Sequence, residues 1–172
     1  PRSTPLYSSA ASDVYKRQMF SHIKKNNQPG MVDVSEKDIT HRVAKASALV
    51  KLPNEIKNLV KDGEIESKKG PVLTTAIIAG TQAVKKTHDL IPFCHPLSIN
   101  ACDILIDFND DSDLVVTCTV SIDGKTGVEM EALTGVSVAS LTIYDMCKSI
   151  SHGIVISNIE LLEKSGGKSD IN

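Results

Sequence analysis

The chain has 172 residues, 41% of them hydrophobic and 23% charged, a balance that suits one globular core and excludes a disordered segment. Nineteen Lys and Arg against 21 Asp and Glu give a net charge of −2, which excludes the broad positive field of a protein that coats nucleic acid. Aromatics at 3% and the lack of Trp leave no stacking platform for single-stranded RNA, and no apolar run reaches the roughly 18–20 residues that cross a bilayer.

Residues 1–18 are Ser-rich and lack apolar periodicity, so they read as a non-native or disordered extension; residues 19–30 read as a flexible N-terminus and 31–172 as a single domain. Ile39 to Leu52 contains neither Gly nor Pro and predicts a half-buried first strand. Pro53 suits the first position of a helix running to Asp62, with Ile56, Leu59 and Val60 on one side and Gly63 closing it. A linker carries Lys68, Lys69 and Gly70. Val72, Ala76, Gly80 and Ala83 then predict a second helix of small residues from Pro71 to His88.

Pro92 and Pro96 enclose Phe93, Cys94 and His95 in a loop of fixed geometry. Leu97 to Phe108 predicts a strand and Asn109 to Asp113 a polar turn; the strict alternation of Leu114, Val116, Cys118, Val120 and Ile122 predicts the second arm of a hairpin. From Val128 the period becomes helical through Ala132, Val136, Ala139, Ile143, Cys147 and Ile150. A β-rich run from Gly153 to Glu163 completes the order strand, helices, strand, strand, helix, strand. That order predicts an α+β, ferredoxin-like fold, an antiparallel sheet with helices packed on one face. The long helix also carries Val138, Leu141 and Tyr144 off its core stripe, which predicts a second subunit against its outer face.

Asp145 and Lys148 stand three apart on that helix and can touch. Apolar neighbours at a subunit contact would desolvate them and tune the lysine downward toward general acid/base use. The alternative is a surface ion pair of little consequence. Glu129 and Glu131 suit the first helical turn through the dipole alone. Gly124-Lys125-Thr126 is not a Walker A motif and signals anion binding only weakly. The four Cys show no C-x-x-C pair and read as core residues, and His22, His41, His88 and His152 show no ligand spacing, so no metal site is expected.

The stretches MVDVSEKDITHR (31–42), LIPFCHPL (90–97), GKTGVEMEALTGVSVASLTIYDMCKSI (124–150) and LLEKSGGKSD (161–170) strongly resemble the cyclic pyranopterin monophosphate synthase family of molybdenum cofactor biosynthesis. The resemblance implies a cytoplasmic homohexamer, a trimer of dimers with its active site at a subunit interface. It implies conversion of 3′,8-cyclo-7,8-dihydro-GTP into cyclic pyranopterin monophosphate with loss of pyrophosphate, with no cofactor beyond Mg²⁺ accompanying the triphosphate. By motif match it makes Asp145, Lys148 and Lys69 catalytic, with Lys68 a one-residue alternative to Lys69. It places Arg42, Lys85 and Lys164 near the triphosphate, and Phe93, Cys94, His95, Met130, Glu131 and, less specifically, Glu129 on the substrate. No nucleic acid or membrane partner is implied. The rivals are a noncatalytic nucleotide-binding regulatory module and an RNA-binding module on the same fold.

Overall fold

A computed structural model describes residues 28–171; the expectations for residues 1–27, including His22, lie outside the described residues. The main sheet is built from β1 (Thr40–Lys51), β5 (Ala101–Phe108), β6 (Leu114–Gly124) and β7 (Val155–Ser165), in the order β5-β6-β1-β7 with every pairing antiparallel. Two helices, α2 (Val72–Lys85) and α4 (Glu129–Cys147), pack on one face, which is the ferredoxin-like α+β plan. β1 pairs with β6 so that Ala44, Ala46 and Ala48 lie opposite Val120, Cys118 and Val116. Small side chains on the central strand let α4 settle deeply, and Ala132, Val136, Ala139, Ile143 and Cys147 bury the stripe that the sequence predicted.

The two helices approach closely at glycines. A Cβ on Gly80 of α2 would lie 2.9 Å from the Gly135 carbonyl oxygen of α4 and 2.6 Å from Ile104 Cδ1. Only residues without side chains permit that separation. Beyond this crossing the outer faces are uncovered in the chain alone: Leu141 on α4 and Ile78 on α2 are each 59% exposed, with Val138 and Tyr144 half-buried beside Leu141. Strand β7 is irregular, its register with β1 shifting between Lys45 and Ala46 and again between Ser47 and Leu49, while Asn158 takes φ +49°.

The region between β1 and α2 departs from expectation. The helix predicted from Pro53 to Asp62 is only one turn, α1 (Asn54–Lys57), because Val60 and Lys61 form β2 and pair with Ile65 and Glu64 of β3 (Glu64–Ser67). Asp62 and Gly63, at φ +50° and +77°, make the two-residue turn. The predicted linker is a second hairpin, in which β3 pairs with β4 (Gly70–Pro71) across Lys68 and Lys69, and Gly70 takes φ +106°. Helix α2 stops at Lys85, three residues before its expected end, and a separate turn, α3 (Thr87–Leu90), follows. Residues 97–100 belong to the preceding loop rather than to β5.

Candidate active site

The last turn of α4 presents Asp145, and two ammonium groups converge on it. Lys148 Nζ, one turn on, lies 2.7 Å from Asp145 Oδ1, and Lys69 Nζ, from the tip of the β3–β4 turn, lies 2.6 Å from Oδ2. Lys69 Nζ also donates to the Asp145 carbonyl oxygen at 3.2 Å. It is Lys69, not its neighbour Lys68, that reaches the carboxylate. The hydrogen bonds from Lys148 and Lys69, reinforced by their charges, lower the Asp145 carboxyl to about 2. The same pairing holds Lys148 above its ordinary value. The expected downward-tuned lysine is therefore not found in the single chain: all three groups are exposed there, and attraction outweighs desolvation.

The opposite end of α4 borders a cavity of about 530 Å³. Phe93, Cys94 and His95 enter it from the Pro-bounded loop, and Glu129, Met130 and Glu131 from the first turn of α4. His95 is fixed by a 2.8 Å hydrogen bond between its Nε2 and the Val32 carbonyl oxygen. Glu131 is only 4% exposed, and burial pushes its carboxyl up. Glu129 pairs with Lys164 at 3.3 Å. Val128 at the N-cap of α4 offers no side-chain cap; the carboxylates of Glu129 and Glu131 occupy the first turn, where they suit the positive end of the dipole, and Glu131 accepts its own N–H. Cys94, expected in the core, is only half-buried and lines this cavity, while Cys118 and Cys147 are buried as expected.

Two further cations, Lys37 and Lys168, stand on the cavity wall; by sequence Lys168 reads as an ordinary surface cation unless folding brings it to others, and nothing in the spacing links it to Lys37. Arg42 donates from Nε to the Gly124 carbonyl oxygen at 2.9 Å, and its guanidinium lies beside Gly167. Lys125 donates to the Ser35 carbonyl oxygen at 2.6 Å and pins the segment that covers the cavity. Lys85 does not line the cavity; it stands at the end of α2 near Cys102. Among the described residues no group of three or more His, Cys, Asp or Glu side chains is arranged to hold a metal, and no helix is long and apolar enough to cross a membrane.

Most of the residues named from sequence thus fall into two groups, one at each end of α4, and Lys85 belongs to neither. Glu131 and Asp145 are fourteen residues apart in that helix, about 21 Å at 1.5 Å per residue. A ligand that touched both within one chain would have to span about that length.

Residues 31–167 match the MoaC family, a span that takes in both groups. The chain belongs to the MoaC family. Its similarity to a molybdenum cofactor biosynthesis bifunctional protein of Synechocystis is 55% identity over 90% of this chain and 46% of that one. It is 50% identical to molybdenum cofactor biosynthesis protein 1 of Dictyostelium discoideum over 87% of this chain and 26% of that one. A cyclic pyranopterin monophosphate synthase of Xanthomonas axonopodis is also 50% identical, over 88% of this chain and 92% of that one. The MoaC-family chain thus spans about half and about a quarter of the first two relatives, and nearly all of the third.

Proposed function

We propose that the chain is a cyclic pyranopterin monophosphate synthase, a lyase that takes 3′,8-cyclo-7,8-dihydro-GTP to cyclic pyranopterin monophosphate and pyrophosphate in molybdenum cofactor biosynthesis. The observation that carries this reading is Asp145 held between Lys69 and Lys148. A noncatalytic nucleotide-binding module has no need of three charges fixed on one another at a helix end. Opening a purine ring and rebuilding a pterin moves protons onto and off nitrogen and carbon. Asp145 is ionised at neutral pH and Lys148 is held protonated beside it, so the pair starts as a proton donor seated on a fixed carboxylate. Lys69 supplies a second ammonium to the same carboxylate, from a different element.

The cavity at the other end of α4 supplies the binding half. Lys37, Lys164 and Lys168 favour a triphosphate, and the same cations stabilise pyrophosphate as it leaves. Phe93, Cys94, His95, Met130 and Glu131 shape the pocket for the base-derived ring. Arg42 and Lys85 are the remaining phosphate candidates, Lys85 only if it serves a neighbouring copy. The reaction takes place without a resident cofactor in this proposal, and Mg²⁺ arrives on the triphosphate if it takes part.

Because the two halves lie about 21 Å apart along one helix, each site is completed by a second copy. The uncovered Leu141, with Val138 and Tyr144 beside it, is the apolar face that such a copy would cover. The assembly proposed is a hexamer of three dimers, working in the cytoplasm. Incubation with the cyclic dihydro-GTP, following pyrophosphate and pterin fluorescence, tests the activity. Asp145→Asn and Lys148→Ala should each lose at least about a hundredfold in turnover while still binding substrate. Near-normal single-turnover rates in both would refute the catalytic assignment.

A further inference from the structure

Lys69 reaches Asp145 from the tip of a very short hairpin: β3 and β4 are joined by only the Glu66–Pro71 and Ser67–Gly70 pairs. Within the turn, Lys69 N–H donates to Ser67 Oγ at 3.1 Å, and Ser67 Oγ donates to the Gly70 carbonyl oxygen at 3.0 Å. Two ladder pairs alone do not fix the tip of a hairpin. The next element also begins without help, since α2 has Pro71 at its N-cap and no side-chain cap there. Its first free N–H groups need acceptors.

Glu64, at the start of β3, meets both needs. Its Oε1 accepts the N–H of Leu73 at 2.7 Å and that of Ile65 at 2.8 Å; its Oε2 accepts the N–H and the hydroxyl of Thr74, each at 3.0 Å. One carboxylate on the strand leading into the hairpin therefore grips the helix leading out of it. A negative charge there also suits the positive end of α2. Burial works against the ionised form, but the N–H groups of Leu73, Ile65 and Thr74 together hold the carboxyl below its ordinary value. Glu64 lies close enough to the last turn of α4 for its charge to act on Cys147, two residues from Asp145.

We infer that Glu64 is a positioning residue, whose grip on the first turn of α2 closes the base of the β3–β4 hairpin and so holds the Lys69 ammonium against Asp145. Its catalytic meaning rests on the proposed role of Lys69 and Asp145. Glu64→Gln keeps the shape but puts an NH₂ against N–H donors, which opens the clamp.

The test is lysine acetylation with acetic anhydride at neutral pH on the assembled protein, read by tandem mass spectrometry, with neighbouring Lys68 as internal control. Asp145→Asn sets the rate of a Lys69 released from its carboxylate. Glu64→Gln should raise Lys69 labelling by at least half of that increase and leave Lys68 unchanged, with the loss in turnover falling on kcat rather than KM. A residue that only stabilised the fold would lower the melting temperature without changing the Lys69 to Lys68 ratio, and an unchanged ratio overturns the inference. Should Glu64→Gln fail to fold, Glu64→Asp, too short to hold Leu73 and Thr74 together, is read in the same way. Faster labelling in Glu64→Gln combined with full turnover in Lys69→Ala would support the clamp and refute the catalytic role of Lys69, so the two failures are told apart.

Discussion

Two individually inactive variants should restore each other when mixed. Asp145→Asn disables one end of α4 and His95→Ala the cavity at the other, and the helix keeps these ends about 21 Å apart in any one chain. In the proposed symmetric assembly each site would take its Asp145 end from one copy and its cavity from another. When equal amounts exchange subunits at random, half of the sites receive an intact Asp145 end, and half of those also receive an intact cavity. About a quarter of wild-type turnover should return, with no new contact formed in either chain. Subunits would be exchanged in mild denaturant, the denaturant removed, and pyrophosphate release followed against each variant treated alone. Activity that stays at the level of the separate variants, in a mixture shown by mass spectrometry to contain mixed assemblies, would mean that one chain holds the whole site.

The buried Glu131 gives a pH signature. Its folded-state carboxyl titrates above the ordinary 4.5, so the wild type loses stability as the pH rises through that range and Glu131→Gln does not. The variant should melt higher at pH 7, with the difference closing below pH 4.5; equal melting temperatures at both would show that the carboxyl is not desolvated. At the helix crossing, Gly80→Ala brings a methyl within 2.9 Å of the Gly135 carbonyl oxygen. Overpacking of about 1–3 kcal/mol there should exceed the gain of about 1 kcal/mol in helix propensity, giving a net loss by urea unfolding. A stabilised variant would show that the crossing can open.

What the sequence displayed clearly was periodicity over many residues. Leu114 to Ile122 alternates because one face of β6 packs under the helices, and α4 repeats every three to four because one stripe meets that sheet. The elements from residue 54 to residue 71 are too short to show a period, and the apolar trio Ile56, Leu59 and Val60 fits either a helix or a turn followed by a strand. Between Lys61 and Glu64, Asp62-Gly63 marks a two-residue hairpin turn, whereas Gly63 taken alone suggests a helix end. For the site, Asp145 and Lys148 were legible because three residues on a helix make neighbours. Lys69 was legible only through the family resemblance, because its contact with Asp145 depends on the hairpin, and Lys37 and Lys168 meet at one cavity only through tertiary folding. Neither carries a local pattern.

The unevenness of β7 bears on whether a second sheet can join the first. In the chain alone the main sheet ends in two strands, β5 and β7, and an open edge of N–H and C=O groups invites another strand to add to it. The register shifts along β7 and the positive φ of Asn158 break the regular spacing that an incoming strand would need. On β5, exposed Asp103 and Asp107 stand on either side of Leu105, so two copies meeting edge to edge would set acids near acids. Straightening β7 by removing a bulge residue, or replacing the two β5 acids with Val, should therefore turn a sheet that ends at four strands into one that grows into aggregates.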